Sequence, residues 1–322
     1  MRITICTLFE DHYHYGVAGL TNSLAAAGYC GTVWVGHRGP LPAWMANNAE
    51  FDGDFCNLRV TETLQLRMVR LNPPVSLNYH KPTFMLDVLR TYEPGATAVC
   101  YMDPDMVVKC RWSAIEAWMR PDGIALVEDA NWSLPSTHPK RARWKSFFAA
   151  HGMVPGRSIE RFYNAGFVGI SRERTDVIET WQRICALVAV HNGGSLQQRR
   201  VGHRDHIFHS ADEDALNFTL SLCDARLDAC GPEAMDLAPG GQLLSHAVGP
   251  VKPWEGRHVR RALSGEPPNL ASQSFYRFAT GPVVFFSPVR LMKRRCSMWI
   301  ASLLGAVLFK RKARLSHSSH SA

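Results

Sequence analysis

An apolar run that ends in two aspartates constrains this chain more than any other feature of its sequence. The stretch AVCYMDPDMVV, residues 98–108, begins with residues typical of an interior strand. Pro104 then interrupts the run, because proline has no amide hydrogen and cannot continue a sheet ladder. Asp103 and Asp105 are therefore expected at the carboxyl end of a buried strand, where open α/β sheets bind their ligands.

Two carboxylates this close need a partner. They repel each other, and each is costly to hold near an apolar core without a counter-ion. A divalent cation is the natural partner, and all-oxygen ligation favours Mg²⁺ or Mn²⁺. The alternative is a solvated turn in which both aspartates bond only to local backbone amides. The DPD triplet alone does not decide between these two interpretations.

The order of strand-like and helix-like segments predicts an α/β fold. RITICTLF is strand-like, YGVAGLTNSLAAAG has helical spacing and a closing glycine, and GTVWVG is strand-like again. Such a β-α-β opening points to a sheet with helices on its faces. Further strands are expected at TAVCYM, GIALVEDA and AGFVGI, and further helices at YHKPTFMLDVLRTY, WSAIEAWM, TDVIETWQRICALVAV and EDALNFTLSLC. Residues 130–160 and 191–211, rich in Pro, Gly, His, Arg and Ser, are expected to be long loops.

The net charge of +8 belongs to the end of the chain. Eight of the 36 basic residues and no acidic residue lie from Arg290 onward, which leaves 28 of each sign in the preceding 289 residues. Because the body is neutral, nucleic acid is not an expected partner.

An apolar segment lies between the basic clusters KRR and KRK. CSMWIASLLGAVLF, residues 296–309, is 14 residues long. As a helix it would cover roughly 21 Å, short of the ~30 Å hydrocarbon core of a bilayer. With basic flanks that meet anionic headgroups, it is predicted to lie on an anionic membrane surface. The alternative is a helix that docks on the body with its charges in solvent.

The cysteines and the amino terminus bear on localisation. Nine cysteines are an odd number, and no CxxC pair is present, which favours reduced thiols over a disulfide framework. MRITICTLFEDHYHYG lacks the apolar core and cleavage site of a secretion signal. We expect a cytoplasmic protein that associates peripherally with the membrane.

Three further stretches carry ligand-binding residue types. FYNAGFVGI, residues 162–170, places the amide of Asn164 before small residues that let a ligand approach the backbone. ADEDALN, residues 211–217, places three acids at a helix start, where capping is the alternative role. HAVGPVKPW, residues 246–254, combines an imidazole, a glycine and a lysine.

In this order and at these spacings, the four stretches resemble the family 8 glycosyltransferases. These are GT-A fold enzymes that transfer a sugar from a nucleotide diphosphate sugar with retention of anomeric configuration. Their pattern has five parts: a first strand with a tyrosine, a DxD, an FNAG-like segment, a D-Q-x-x-L-N helix start and an H-x-x-G-x-x-K-P-W loop. The corresponding stretches of this chain are, in the same order, LFEDHYHYG, YMDPDMVV, YNAGFVGI, DEDALN and HAVGPVKPW. The resemblance covers roughly residues 1–256 and implies a Rossmann-like mixed sheet flanked by helices.

The resemblance implies a metal site and a diphosphate site. Asp103, Asp105 and His246 would ligate Mn²⁺ or Mg²⁺ shared with the donor diphosphate, which Gly249 and Lys252 would contact. A metal and an ammonium group stabilise the negative charge that grows on the leaving diphosphate.

It also implies donor contacts. Tyr13, with Asp11 and Glu10 nearby, would cover the nucleoside, although an ordinary buried tyrosine is the alternative. Lys81 is a further candidate phosphate contact or else a surface lysine at a helix start.

The transferred sugar has its own candidate contacts. Asn164 and Asp212 would hold this sugar, and Glu128 or Asp129 would bind a hydroxyl of the donor or acceptor.

Two residues depart from the family pattern. Glu213 stands where the family usually has glutamine, next to the reacting carbon. A carboxylate can act as a nucleophile or stabilise positive charge on the sugar, which an amide does poorly, so we hypothesise that Glu213 is catalytic. Ala247 stands where an aromatic residue is usual.

The sequence therefore predicts a metal-dependent retaining hexosyltransferase. We expect a GT-A-like domain over 1–256, an extension over 257–289 that packs on it, and a basic amphipathic membrane tail over 290–322. The expected donor is a UDP-hexose, and the expected acceptor is a membrane-associated glycan or lipid-linked saccharide of the lipopolysaccharide type.

Two alternatives remain. A sugar nucleotidylyltransferase should carry a glycine-rich basic loop after the first strand, where this chain has FEDHYHYG. A non-catalytic nucleotide-sugar-binding protein at the membrane surface should bind the donor without turnover.

Overall fold

The computed structural model describes residues 1–46, 49–194 and 201–318, with the side chains of 308–318 left aside. Its strands are β1 (Ile3–Glu10), β2 (Gly31–Arg38), β3 (Glu50–Asp52), β4 (Phe55–Arg59), β5 (Leu64–Arg70), β6 (Ala98–Met102), β7 (Met106–Val108), β8 (Gly123–Glu128), β9 (Tyr163–Ser171), β10 (Arg226–Cys230) and β11 (Leu244–His246). Its helices are α1 (His14–Ala27), α2 (Ala43–Ala46), α3 (Leu77–Asp87), α4 (Trp112–Trp118), α5 (Pro139–Ala149), α6 (Thr175–His191), α7 (Ala211–Leu222), α8 (His258–Leu263), α9 (Leu270–Arg277) and α10 (Pro288–Ser318). A π-helical turn, Val88–Tyr92, continues α3.

Nine strands form one mixed sheet in the order β10-β8-β9-β6-β1-β2-β5-β4-β3. The central strands β6, β1, β2 and β5 are parallel, whereas β9 runs antiparallel to both of its neighbours, β6 and β8. Helices cover both faces, and the predicted α/β class with a large mixed sheet is confirmed.

Side chains of β6 alternate between the two apolar layers. Val99 and Tyr101 pack with α3, α5, α6 and α7 on one face. Cys100 and Met102 pack with α1, α4 and α9 on the other. Both layers are buried, which explains why this strand reads as a nearly continuous apolar run in the sequence.

One edge of the sheet collects the ends of several strands. Strands β1, β6 and β8 end there, and the antiparallel β9 begins there. A separate pair, β7 and β11, lies beside it and aligns His246 with Met106. Four segments therefore meet at this edge: the end of β1, the DPD triplet, the start of β9 and the loop HAVGPVKPW, residues 246–254, which we name the histidine loop.

The prediction of a long loop over 130–160 is wrong for the middle of this stretch, because helix α5 forms there. The side chain of His138 accepts a hydrogen bond from the amide of Lys140, and Pro139 occupies the first helical position. Trp144 and Phe148 are the buried anchors of a helix whose other residues are mostly basic or small, so its apolar periodicity is weak. The stretch 191–211 contains turns and bends where it is described, and 195–200 lie outside the described residues.

The carboxyl-terminal part packs on the body. Asn22 of α1 donates hydrogen bonds to the carbonyls of Phe278 and Val283 and accepts one from the amide of Val283. Helix α10 starts eight residues before the predicted apolar segment and buries Leu291 and Ala301. Of the predicted tail, the side chains from residue 308 and all of 319–322 lie outside the description. Within the described chain, no helix is long and apolar enough to cross a bilayer.

Candidate active site

A cleft of about 420 Å³ opens at the edge where the strands end. It is lined by these residues that the sequence singled out: Tyr13, Lys81, Asp103, Asp105, Asp129, Asn164, Asp212, Glu213, His246, Gly249 and Lys252. Asp11 is exposed and lies outside the lining, and Glu10 lines the cleft instead. Glu128 also lies outside, because its carboxylate pairs with Arg161 at 2.7 Å.

The lining of the cleft has an excess of negative charge. It contains six carboxyl groups, which belong to Glu10, Asp103, Asp105, Asp129, Asp212 and Glu213, against the two ammonium groups of Lys81 and Lys252. Glu10 is compensated by Arg38 at 3.0 Å. The rest form a site that attracts cations.

Asp103, Asp105 and His246 form a compact group. Their ligand atoms all lie within 4.8 Å of one another. Nε2 of His246 lies 3.1 Å from Oδ1 of Asp105 and 3.5 Å from Oδ2 of Asp103. Nδ1 of His246 is buried with no hydrogen-bond partner among the described residues, so the orientation of the ring depends on what Nε2 binds.

Each of these aspartates divides its two oxygens between different partners. The second oxygen of Asp103, Oδ1, lies 2.9 Å from Nζ of Lys81. The second oxygen of Asp105, Oδ2, lies 2.5 Å from Nζ of Lys252. The lysines thus take the outer oxygens, and the inner oxygens face the imidazole.

Both lysines are buried and ion-paired. Nζ of Lys81 also reaches Oδ2 of Asp212 at 2.7 Å and donates to the carbonyl of Ala165 at 3.2 Å. Nζ of Lys252 donates to the carbonyl of Ala247 at 2.7 Å. An interior ammonium group held by carboxylates stays charged.

The pKa values of this cluster follow from burial opposed by opposite charge. Burial acts to lower the pKa of Lys81, but Asp103 and Asp212 outweigh it and raise the value. The pKa of Lys252 is likewise raised by Asp105 against the effect of burial. Burial acts to raise the pKa of Asp105, but Lys252 and His246 hold it well below its ordinary value, so this carboxylate stays ionised.

The three inner ligand atoms fit a divalent cation. Two carboxylate oxygens and one imidazole nitrogen are hard to borderline donors that suit Mn²⁺ and also Mg²⁺. Because the lysines bind only the outer oxygens, the inner ones remain directed at a common centre.

The three acids at the start of α7 have different environments. Asp214 is fully buried, binds Nζ of Lys140 through both oxygens at 3.0 and 2.9 Å and accepts the amide of Ser210. It therefore anchors the helix start. Asp212 and Glu213 line the cleft.

One amide group connects two carboxyl groups of the cleft. Nδ2 of Asn164 donates to Oδ2 of Asp129 at 2.8 Å and to Oε1 of Glu213 at 2.9 Å. Burial, then the carboxylates of Asp129 and Asp212, raise the pKa of Glu213 well above its ordinary value. Glu213 therefore keeps its proton to a higher pH than an ordinary glutamate does.

The histidine loop packs against His12 and Tyr13. Trp254 donates from Nε1 to Nδ1 of His12 at 2.7 Å, and its ring meets Tyr13 edge-on with ring centroids 5.4 Å apart. Nζ of Lys252 lies 5.5 Å from the centroid of the Tyr13 ring. Gly249 has φ of 100°, in the region that favours glycine, and presents bare backbone to the cleft.

Several residues that line the cleft were not predicted from the sequence, among them Tyr101 and Trp132. The hydroxyl of Tyr101 donates to Oδ1 of Asp103 at 3.0 Å. The period-two alternation of a strand, which places residues two apart on one face, could have indicated this pair. Trp132 also lines the cleft, and no pattern in the sequence around it pointed there.

No protein-family model and no curated protein sequence matches the chain.

We predict that Gly166→Ala weakens metal binding. A Cβ atom at this position would lie 2.5 Å from Cε1 of His246 and 2.7 Å from Oδ1 of Asn164, so the imidazole would have to move. Because such a shift misplaces a ligand, the affinity for Mn²⁺ measured by titration calorimetry should fall at least about tenfold.

The matched control is Gly156→Ala, where an added Cβ meets nothing within 4 Å. It should bind Mn²⁺ like the wild type. Equal affinity of the two variants would show that His246 is not a ligand.

Proposed function

We propose that the protein is a metal-dependent retaining glycosyltransferase of the GT-A type. It transfers a hexose from a UDP-sugar to a membrane-associated glycan or lipid-linked acceptor. The observation that carries this proposal is that four stretches far apart in the sequence line one cleft. They contribute two metal-directed aspartates, an asparagine amide, an acidic helix start and a histidine–lysine loop.

The proposed donor diphosphate lies beside Asp103, Asp105 and His246. These residues would hold a Mn²⁺ or Mg²⁺ ion, which would supply positive charge to the leaving diphosphate. Lys252, already charged and buried, adds a second positive group where negative charge develops. Gly249 lets phosphate oxygens approach the backbone, and Tyr13 covers the nucleoside.

The proposed sugar site is formed by Asn164, Asp212, Glu213 and Asp129. The hydrogen bonds of Asn164 to Asp129 and Glu213 fix the positions of both carboxyl groups before the donor arrives. A prearranged site reduces the entropy lost when the sugar is oriented. Lys81 holds Asp212 and Asp103 in one ion-paired group, which links the sugar site to the metal site.

Glu213 is the proposed catalytic carboxyl group. Burial and the carboxylates of Asp129 and Asp212 raise its pKa, so it ionises at a higher pH than an ordinary glutamate. As a carboxylate it can stabilise positive charge at the anomeric carbon or attack it, so its catalytic form is the deprotonated one.

An acceptor at a membrane surface is supported by α10. Its apolar stripe consists of the exposed residues Val289, Met292, Trp299, Ile300, Leu303 and Val307. Their spacing places them on one helical face, while the opposite face packs on the body. With basic residues alongside, this stripe suits the interface of an anionic membrane.

Hydrolysis of nucleotide sugars tests the proposed reaction. We expect the purified protein to release UDP from one UDP-hexose in the presence of Mn²⁺ and not in the presence of chelator. Asp103→Asn and Asp105→Asn should each lower the rate about a hundredfold or more, because a ligand to the metal is lost.

Asp122→Asn is the matched control, since Asp122 is exposed and precedes β8 at the opposite end of that strand. It should keep the wild-type rate. Donor binding without turnover, with and without candidate acceptors, would favour the non-catalytic binding protein instead.

The pH dependence of the rate tests Glu213. Since its pKa is raised, the carboxylate fraction grows as pH increases above the ordinary range for glutamate, and the rate of UDP release should rise with it. Glu213→Gln should be slower by about a hundredfold and should lack this rise.

A near-normal rate for Glu213→Gln would eliminate a direct catalytic role. Transfer would then proceed by front-side attack without a protein carboxylate. Melting temperatures of both proteins control for loss of fold.

A further inference from the structure

A second cavity, of about 470 Å³, lies between the end of the histidine loop and the start of α10. Four of its lining side chains are basic: Arg257, Arg290, Lys293 and Arg294. We name it the basic cavity. Within the described part of the chain, none of these four forms an ion pair.

The single acid of the basic cavity is already engaged. Oε1 of Glu255 accepts a hydrogen bond from the backbone amide of Lys252 at 2.9 Å. It therefore faces the loop that carries Lys252. Among the described residues, the four basic side chains have no carboxylate partner, so their positive charges are not neutralised.

Aromatic residues hold two of the cations close together. The guanidinium carbons of Arg290 and Arg294 lie 5.2 and 5.1 Å from the centroid of the Phe286 ring. Arg290 also donates to the hydroxyl of Tyr15 at 3.3 Å. Gly256 makes room for Arg294, because a Cβ there would lie 3.1 Å from its Nη1. Positive groups fixed this way are arranged for an anion before it binds.

Two further features favour negative charge in the basic cavity. Ser287 and Val289 place the amino end of α10 in its wall, where the helix dipole contributes a partial positive charge. The pKa of His258, also in the wall, is lowered to about 4 by burial and then by Arg294 and Arg261. The local field therefore disfavours any additional cation.

We propose that the basic cavity binds the phosphate group of an anionic phospholipid whose acyl part meets the apolar stripe of α10. Val289 belongs to both the cavity wall and the stripe, so the two surfaces are continuous. A free anion would contact only the basic side chains of the cavity. A lipid would contact both the basic cavity and the apolar stripe, which makes a lipid the better match. The inference rests on these contacts and is independent of the reaction in the cleft.

Vesicle binding tests this inference without metal or nucleotide sugar. Full-length protein is sedimented with vesicles of phosphatidylcholine alone or mixed with phosphatidylglycerol. The variant Arg257→Gln, Lys293→Gln removes two exposed charges from the basic cavity. Its partitioning onto the anionic vesicles should fall about thirtyfold, because each basic residue at such a surface contributes about fivefold.

The matched control is Arg260→Gln, Arg277→Gln. It removes the same charge from exposed positions that do not line the cavity. Partitioning of this control onto the anionic vesicles should fall by less than about fivefold. Both variants should keep the wild-type melting temperature. Equal losses in the two variants would mean diffuse attraction rather than a site, and would overturn the inference.

Inorganic phosphate separates a lipid site from a small-anion site. Calorimetric titration with phosphate is run on the wild type and on the cavity variant. If phosphate binding is lost in the variant while vesicle partitioning is unchanged, the cavity takes free anions and the lipid assignment is wrong. Loss of vesicle partitioning in the cavity variant alone supports the lipid.

Discussion

The structure depends on how two aspartates share their carboxylate oxygens. In each, one oxygen pairs with a lysine and the other faces the imidazole of His246. Asp103 and Asp105 end an interior strand, and bare carboxylates there would repel each other strongly. Lys81 and Lys252 neutralise them through the outer oxygens and stay charged themselves. The cost of holding these charges in a largely buried cluster is thereby offset within it, and the inner oxygens remain directed at His246.

This arrangement links parts of the fold that are far apart in the chain. Lys81 comes from α3, Asp212 from α7 and Lys252 from the loop after β11, so the ion pairs connect three elements to the end of β6. The same loop continues through Glu255 into the wall of the basic cavity. The proposed membrane contact and the proposed donor site are therefore neighbours along one segment.

The sequence predicted those features that are encoded locally. The apolar run before the DPD triplet marked β6, and the strand ends marked the edge at which the cleft opens. Features that depend on distant partners were not predictable: the ion pair of Lys81 with Asp212 joins residues far apart in sequence, and nothing near Lys81 indicates it. Helix α5 was missed because basic residues obscure its apolar face, and the short strands β3 and β4 were missed because few of their side chains are buried.

Pulsed electron paramagnetic resonance of Mn²⁺ bound to the protein together with UDP tests whether Asp103, Asp105 and His246 form a metal site. We expect one bound Mn²⁺ that shows nitrogen coupling from a coordinated imidazole and phosphorus coupling from the diphosphate. His246→Gln should abolish the nitrogen coupling. A bound Mn²⁺ without nitrogen coupling, or one that never contacts the diphosphate, would contradict the assignment of this cluster as a metal site shared with a nucleotide donor.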